Sequence, residues 1–175
     1  MIYLYKYLKA INNYKKLCKT IDVDFNGLIK PRQEHTDIVE SVNFLPENAI
    51  IETEPFDYAD GLVTNIPNCT LASTNADCIL LLIYDPVKKV IANVHSGWKG
   101  TFQKIGEVAV KKMIKEYNCN PEDLIVCICP SIRKCHFKVR TDVKEKCENI
   151  FSYTNRLDEI MQYIGKDEIG EDSWL

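Results

Sequence analysis

Two apolar runs separated by a polar turn dominate the middle of the chain. Cys78-Ile79-Leu80-Leu81-Leu82-Ile83-Tyr84 is followed by Asp85-Pro86-Val87-Lys88, and Lys89-Val90-Ile91-Ala92-Asn93-Val94-His95 returns. Runs of this length and composition around turn residues predict a β-hairpin. Pairing Tyr84 with Lys89 sets Cys78 directly opposite His95, with Cβ atoms roughly 4.5–5.5 Å apart. Downstream, Phe102, Ile105, Val108, Ala109, Met113 and Tyr117 recur at three- and four-residue spacing, which predicts an amphipathic helix over 101–117. Asn118-Cys119-Asn120-Pro121 ends it, and the apolar run 124–129 reads as a buried strand.

The remaining pattern is less regular. Residues 1–7 read as a strand, with a lysine- and asparagine-containing helix or loop over 8–19. A strand is expected just after His35, which places that histidine at a strand mouth. Asp60-Gly61 turns into a short strand through Thr64, and residues 135–139 read as another strand before an amphipathic stretch over 142–151. Hairpins early and strand–helix alternation late indicate an α/β or α+β class with a mixed sheet.

Composition narrows the function. A chain of 175 residues, 46% hydrophobic, is of single-domain size. A net charge of −3 argues against a broad basic surface for nucleic acid, so the expected partner is a small molecule or another protein. No stretch approaches the ~18 apolar residues of a membrane span, and the start lacks an export signal, which predicts a cytoplasmic protein. Eight cysteines are then expected to be reduced, with Cys127 and Cys129 packing as small hydrophobes in the core. No CxxC pair is present, so neither a zinc finger nor a thioredoxin-like site is indicated.

Candidate chemistry gathers near His95. His95-Ser96-Gly97-Trp98-Lys99-Gly100-Thr101 joins strand to helix with two glycines. Such a turn can present amide N–H groups, and Lys99 adds a cation, so Gly97, Lys99 and Gly100 form a candidate phosphate or carboxylate site. A tight connection with a solvated lysine and a packed Trp98 explains the same residues. The chain has three histidines, His35, His95 and His136. His35, Cys78 and His95 on one rim would make three zinc ligands with an open fourth position. Equally, Cys78 could be a nucleophile activated by histidine, and spacing does not separate the two. Asp77 alternates to the other sheet face and is at most a supporting residue, while His136 reads as structural.

Thr74-Asn75-Ala76-Asp77-Cys78, the His95–Gly100 segment, Cys129-Pro130-Ser131-Ile132 and Gln33-Glu34-His35 together resemble the laccase-domain family, variously described as multicopper polyphenol oxidoreductase, purine nucleoside phosphorylase and peptidoglycan editing factor. The resemblance runs from about residue 33 to 139. It implies a layered sandwich of mixed β-sheet flanked by helices, sometimes grouped with cysteine-hydrolase-like folds. It also implies a metal site whose ligands map onto His35, Cys78 and His95. The implied activities are phosphorolysis of adenosine, inosine, guanosine and methylthioadenosine, and deamination of adenosine. Alternatives are a hydrolase editing peptidoglycan precursors, a polyphenol oxidase, and a degenerate metal-binding module. Zinc fits better than copper, because three histidines cannot build a laccase-type cluster. Thr36 and Lys99 stand where the family commonly has glycine and arginine. The chain stops at Leu175, before later elements typical of the family, which implies one laccase-like domain over 1–175, shortened at its C-terminus, with an exposed sheet edge that favours homo-oligomers.

Overall fold

A computed structural model describes residues 2–154 and 156–175. It divides into two compact units, residues 1–129 and 130–175. The first contains α1 (Ile2–Thr20), β1 (Leu28–Lys30), β2 (Val39–Ser41), β3 (Ile50–Ile51), β4 (Gly61–Thr64), β5 (Thr70–Leu71), β6 (Ile79–Asp85), β7 (Val90–Ser96), α2 (Trp98–Phe102), α3 (Ile105–Tyr117) and β8 (Ile125–Ile128). The second contains β9 (Val139–Arg140), α4 (Thr141–Ile150), α5 (Leu157–Ile160), β10 (Tyr163–Lys166) and β11 (Asp172–Trp174), with its strands in the order β10-β11-β9.

Three layers build the first unit. A mixed five-stranded sheet, β2-β4-β7-β6-β8, has α3 lying chiefly across β7, β4 and β2. A parallel sheet, β3-β1-β5, packs on its other face. The period-two alternation of β4 explains this arrangement. Val63 joins Val94 of β7 and Ile105 and Met113 of α3, while Leu62 joins Ile29, Val42 and Phe56 between the sheets. A strand covered on both sides is buried at every position, as 61–64 is.

The predicted hairpin forms, but its register differs by two residues. Asp85 Oδ1 accepts hydrogen bonds from the backbone N–H groups of Val87 and Lys88, each at 2.8 Å. This Asx-type turn closes a loop over 86–89 in which Lys89 adopts φ 58°, so Asp85 pairs with Val90 and Tyr84 with Ile91. Leu80, rather than Cys78, lies opposite His95. A slip of two preserves the facing of every side chain, whereas a slip of one would reverse it.

Other expectations need correction. The strand expected over residues 1–7 is helical from Ile2 onward, while Met1 lies outside the described residues. The spacing Leu4, Leu8, Ile11, Tyr14, Cys18 is helical and outweighs the local β preference of the Ile and Tyr residues. The helix expected over 101–117 starts earlier and breaks at Lys104, whose φ of 60° separates α2 from α3. The break lets Gly100 pack against the Thr36 backbone while α3 turns to lie across the sheet. β8 is exposed along its whole length, with Cys127 exposed and Cys129 half-buried. It occupies the sheet edge with all four residues exposed, so neither cysteine is a core residue. Residues 134–136 form a turn and 137–138 are irregular, leaving only Val139–Arg140 as strand. The 142–151 stretch is helical as expected, and the last residues form a strand, β11.

Candidate metal centre

Asp60 is the organising residue of the site. It lies just before β4, is fully buried, and accepts five hydrogen bonds. Oδ1 receives His95 Nδ1–H at 2.7 Å and the His35 N–H at 3.1 Å. Oδ2 receives the N–H groups of Glu34 and Thr36 at 3.1 and 2.7 Å and the Thr36 hydroxyl at 2.8 Å. Burial pushes its carboxyl upward, but the bonds from His95, Thr36 and Glu34 outweigh it and hold Asp60 below the ordinary value. One carboxylate thus fixes the His35 loop and the His95 ring together. His35 itself adopts φ 59°, a left-handed conformation uncommon for a residue with a side chain, and the Asp60 clamp maintains it.

The strand–helix turn completes the bed for His35. A Cβ added at Gly97 would lie 2.1 Å from His35 Cδ2, and one at Gly100 would lie 2.8 Å from the Thr36 carbonyl oxygen. Both glycines therefore serve close approach of the His35 loop. Lys99 places its Nζ 5.6 Å from the Trp98 ring centroid, within cation–π range.

With the histidines so placed, ligand atoms of His35, Cys78 and His95 lie within 4.8 Å of one another. The rings of His35 and His95 meet edge to face, with centroids 5.0 Å apart. Cys78 Sγ is 3.5 Å from His35 Nε2. A tetrahedral zinc with a Zn–S bond of ~2.3 Å and a Zn–N bond of ~2.05 Å separates these two atoms by about 3.5 Å. Since Asp60 occupies His95 Nδ1, its Nε2 is the nitrogen left for a ligand role. The donor set, two imidazoles and one thiol, therefore fits zinc with a position to spare. Burial, together with the charges of Asp77 and Asp60, pushes the Cys78 thiol above its ordinary value. Metal binding would consequently release a proton.

These ligands open onto a cleft of about 540 Å³ whose walls also include Lys30, Arg32, Gln33, Glu52, Thr74, Asn75 and Asp77. The Gln33 amide holds one wall: its Nε2–H donates to the Thr74 carbonyl and its Oε1 accepts from the Thr74 N–H, both at 2.8 Å. Asn75 Nδ2–H donates to the Cys78 carbonyl at 2.6 Å. Gly97, Lys99 and Gly100 are not among the cleft's lining residues. His136 lies in the second unit, with its Nδ1 3.0 Å from Cys135 Sγ.

Sequence reasoning gathered His35, Cys78 and His95 but missed Asp60, Lys30 and Glu52. Asp60 was legible only as a turn residue. Its partners lie 24 to 35 residues away in sequence, and no local pattern links them.

Residues 8–168 match the family model described as multi-copper polyphenol oxidoreductase laccase, and the chain belongs to that family. A mouse relative called purine nucleoside phosphorylase LACC1 is 46% identical over 84 residues, 48% of this chain and 19% of its own. A Bacteroides thetaiotaomicron purine nucleoside phosphorylase is 29% identical over 165 residues, 81% of this chain and 59% of its own. An adenosine deaminase, RL5, from an unknown prokaryotic organism is 25% identical over 140 residues, covering 79% and 53% respectively. The crystal structure of Bacillus licheniformis YfiH superposes with a TM-score of 0.76 at 29% identity, covering 93% of this chain and 60% of that protein. The chain thus matches a fifth to three fifths of the length of these relatives.

Proposed function

We propose that the protein is a zinc-dependent purine nucleoside enzyme that cleaves adenosine, inosine, guanosine and methylthioadenosine with phosphate and deaminates adenosine. The observation that carries this reading is the His35–Cys78–His95 cluster on the wall of an open cleft, pre-spaced for a tetrahedral ion. The names of the relatives supply the substrate class.

When bound, zinc supplies Lewis acidity and water that ionises near pH 7. His35, Cys78 and His95 would hold the ion, Cys78 as thiolate. Asp60 keeps the His95 proton on Nδ1 and so keeps the lone pair on Nε2. Asp77 and Glu52 offer carboxylates to substrate hydroxyls from the cleft walls. Polyphenol oxidation fits less well, since reducing oxygen in that chemistry draws on further copper ions and their histidines, and the chain has three histidines in all.

The test is to incubate adenosine and inosine with the zinc-loaded chain, with and without phosphate, and to identify products by mass. Ribose 1-phosphate with free base, and inosine from adenosine, are expected from the wild type and not from Cys78→Ala. Equal turnover by both, or none from folded, zinc-loaded protein, would refute the reading.

A further inference from the structure

We propose that Lys30 and Arg32 form the anion subsite of this cleft and that its ligand is inorganic phosphate, the second reactant of the phosphorolysis proposed above, on which the choice of ligand rests. Lys30 ends β1, and Arg32 follows two residues on in extended backbone bridged to Asp57. Both line the same cleft as His35 and Cys78. Two cations therefore enter the wall that carries the candidate metal ligands.

Lys30 is the more telling of the two. Only 3% of it is exposed, a level lysine rarely reaches unless its ammonium is engaged. Nζ–H donates to Glu52 Oε1 at 2.5 Å and to the Pro31 carbonyl at 3.4 Å. Yet the Glu52 side chain is half in water, 52% exposed, and its backbone sits at φ 54° on the cleft wall. A buried cation matched with a solvated, displaceable anion is a poor source of stability and a suitable receptor for a stronger anion entering from the cleft. Arg32 Nη2 lies 3.5 Å from the Glu52 carbonyl oxygen, and its planar fork suits two phosphate oxygens at once.

In the reaction, an oxygen of hydrogenphosphate forms a bond to C1′ as the C1′–N9 bond breaks. The bonding pair leaves with the base, the phosphate proton passes to the departing nitrogen, and the products are ribose 1-phosphate and free base. Lys30 and Arg32 hold the phosphate. Lys99, the cation suggested by sequence, lies near the Trp98 ring and is not among the lining residues of this cleft.

The experiment is calorimetric titration of inorganic phosphate into the zinc-loaded full chain without nucleoside. Arg32→Ala and Lys30→Met should each weaken binding about tenfold or more. Lys99→Ala should change it by less than about twofold. Should Lys30→Met fail to fold, Arg32→Ala decides alone. Phosphate binding that survives Arg32→Ala, that is lost only in Lys99→Ala, or that is undetectable in the wild type would overturn the proposal. Because nucleoside is absent, the two readings fail separately: Arg32-dependent phosphate binding without nucleoside turnover removes the function and leaves the subsite. Turnover whose phosphate KM ignores Arg32→Ala does the reverse.

Discussion

The cleft wall and the β8 edge invert the usual distribution of polar and apolar groups in opposite ways. At the cleft, Asp60, His95 and Lys30 are each no more than 3% exposed. At the edge, Ile125, Val126 and Ile128 are 60%, 50% and 61% exposed. The buried polar groups are tolerated because nearly every donor and acceptor is matched, with Asp60 alone accepting five bonds. The exposed apolar strand is held in place because pairing with β6 satisfies one side of its backbone. Buried polarity marks where chemistry is organised, whereas an apolar run marks only what would gain from cover.

Breaking the cleft should produce the largest effects. Removing a ligand in Cys78→Ala should abolish stoichiometric zinc binding while leaving the fold intact, as measured by metal analysis beside circular dichroism. Asp60→Ala strands several buried donors and should destabilise the protein by about 3–5 kcal/mol in urea titration. The milder Asp60→Asn should instead lower zinc affinity ~10–100-fold. Gly97→Ala forces the His35 ring away and should lower zinc affinity more than Gly100→Ala, whose clash is with the Thr36 carbonyl.

Sharpening the contrast needs matched truncations on one sheet. Ile83→Ala, beneath α3, should cost about 2–5 kcal/mol. At the edge, Ile125→Ala should cost less than ~1 kcal/mol, and equal losses would mean that β8 is covered in solution. The smallest effect concerns pH. Hydrogen bonds from the Lys88 N–H, the Cys119 thiol and the Val87 N–H hold Asp85 below its ordinary carboxyl value against the cost of burial. Its contribution is therefore full above the unfolded value of ~3.9 and is lost as pH falls through the lower folded value. Asp85→Asn should flatten the acid limb of stability against pH, and an unchanged limb would contradict this origin.

Part of the fold and of the candidate site was visible in the sequence, for identifiable reasons. The hairpin, α4 and most of α3 follow from periodicity, because each buries one face against the layer beside it. The three candidate ligands come together in the structure although the pairing was two residues off, since that error preserves facing. Turn chemistry caused the slip: Asp85 captures two amide groups and draws Lys89 into the loop. The β8 exposure was not legible, because an apolar run carries no record of what lies over it. Nor was Asp60, a single acid whose meaning depends on contacts made only after folding.

The measurement that tests the account most directly is zinc titration of the purified chain followed by X-ray absorption at the zinc edge. The account predicts one equivalent of zinc with one sulfur and two imidazole nitrogens in its shell, and loss of the sulfur signal in Cys78→Ala. Zinc bound without sulfur, or retained unchanged in that variant, would contradict a centre built from His35, Cys78 and His95.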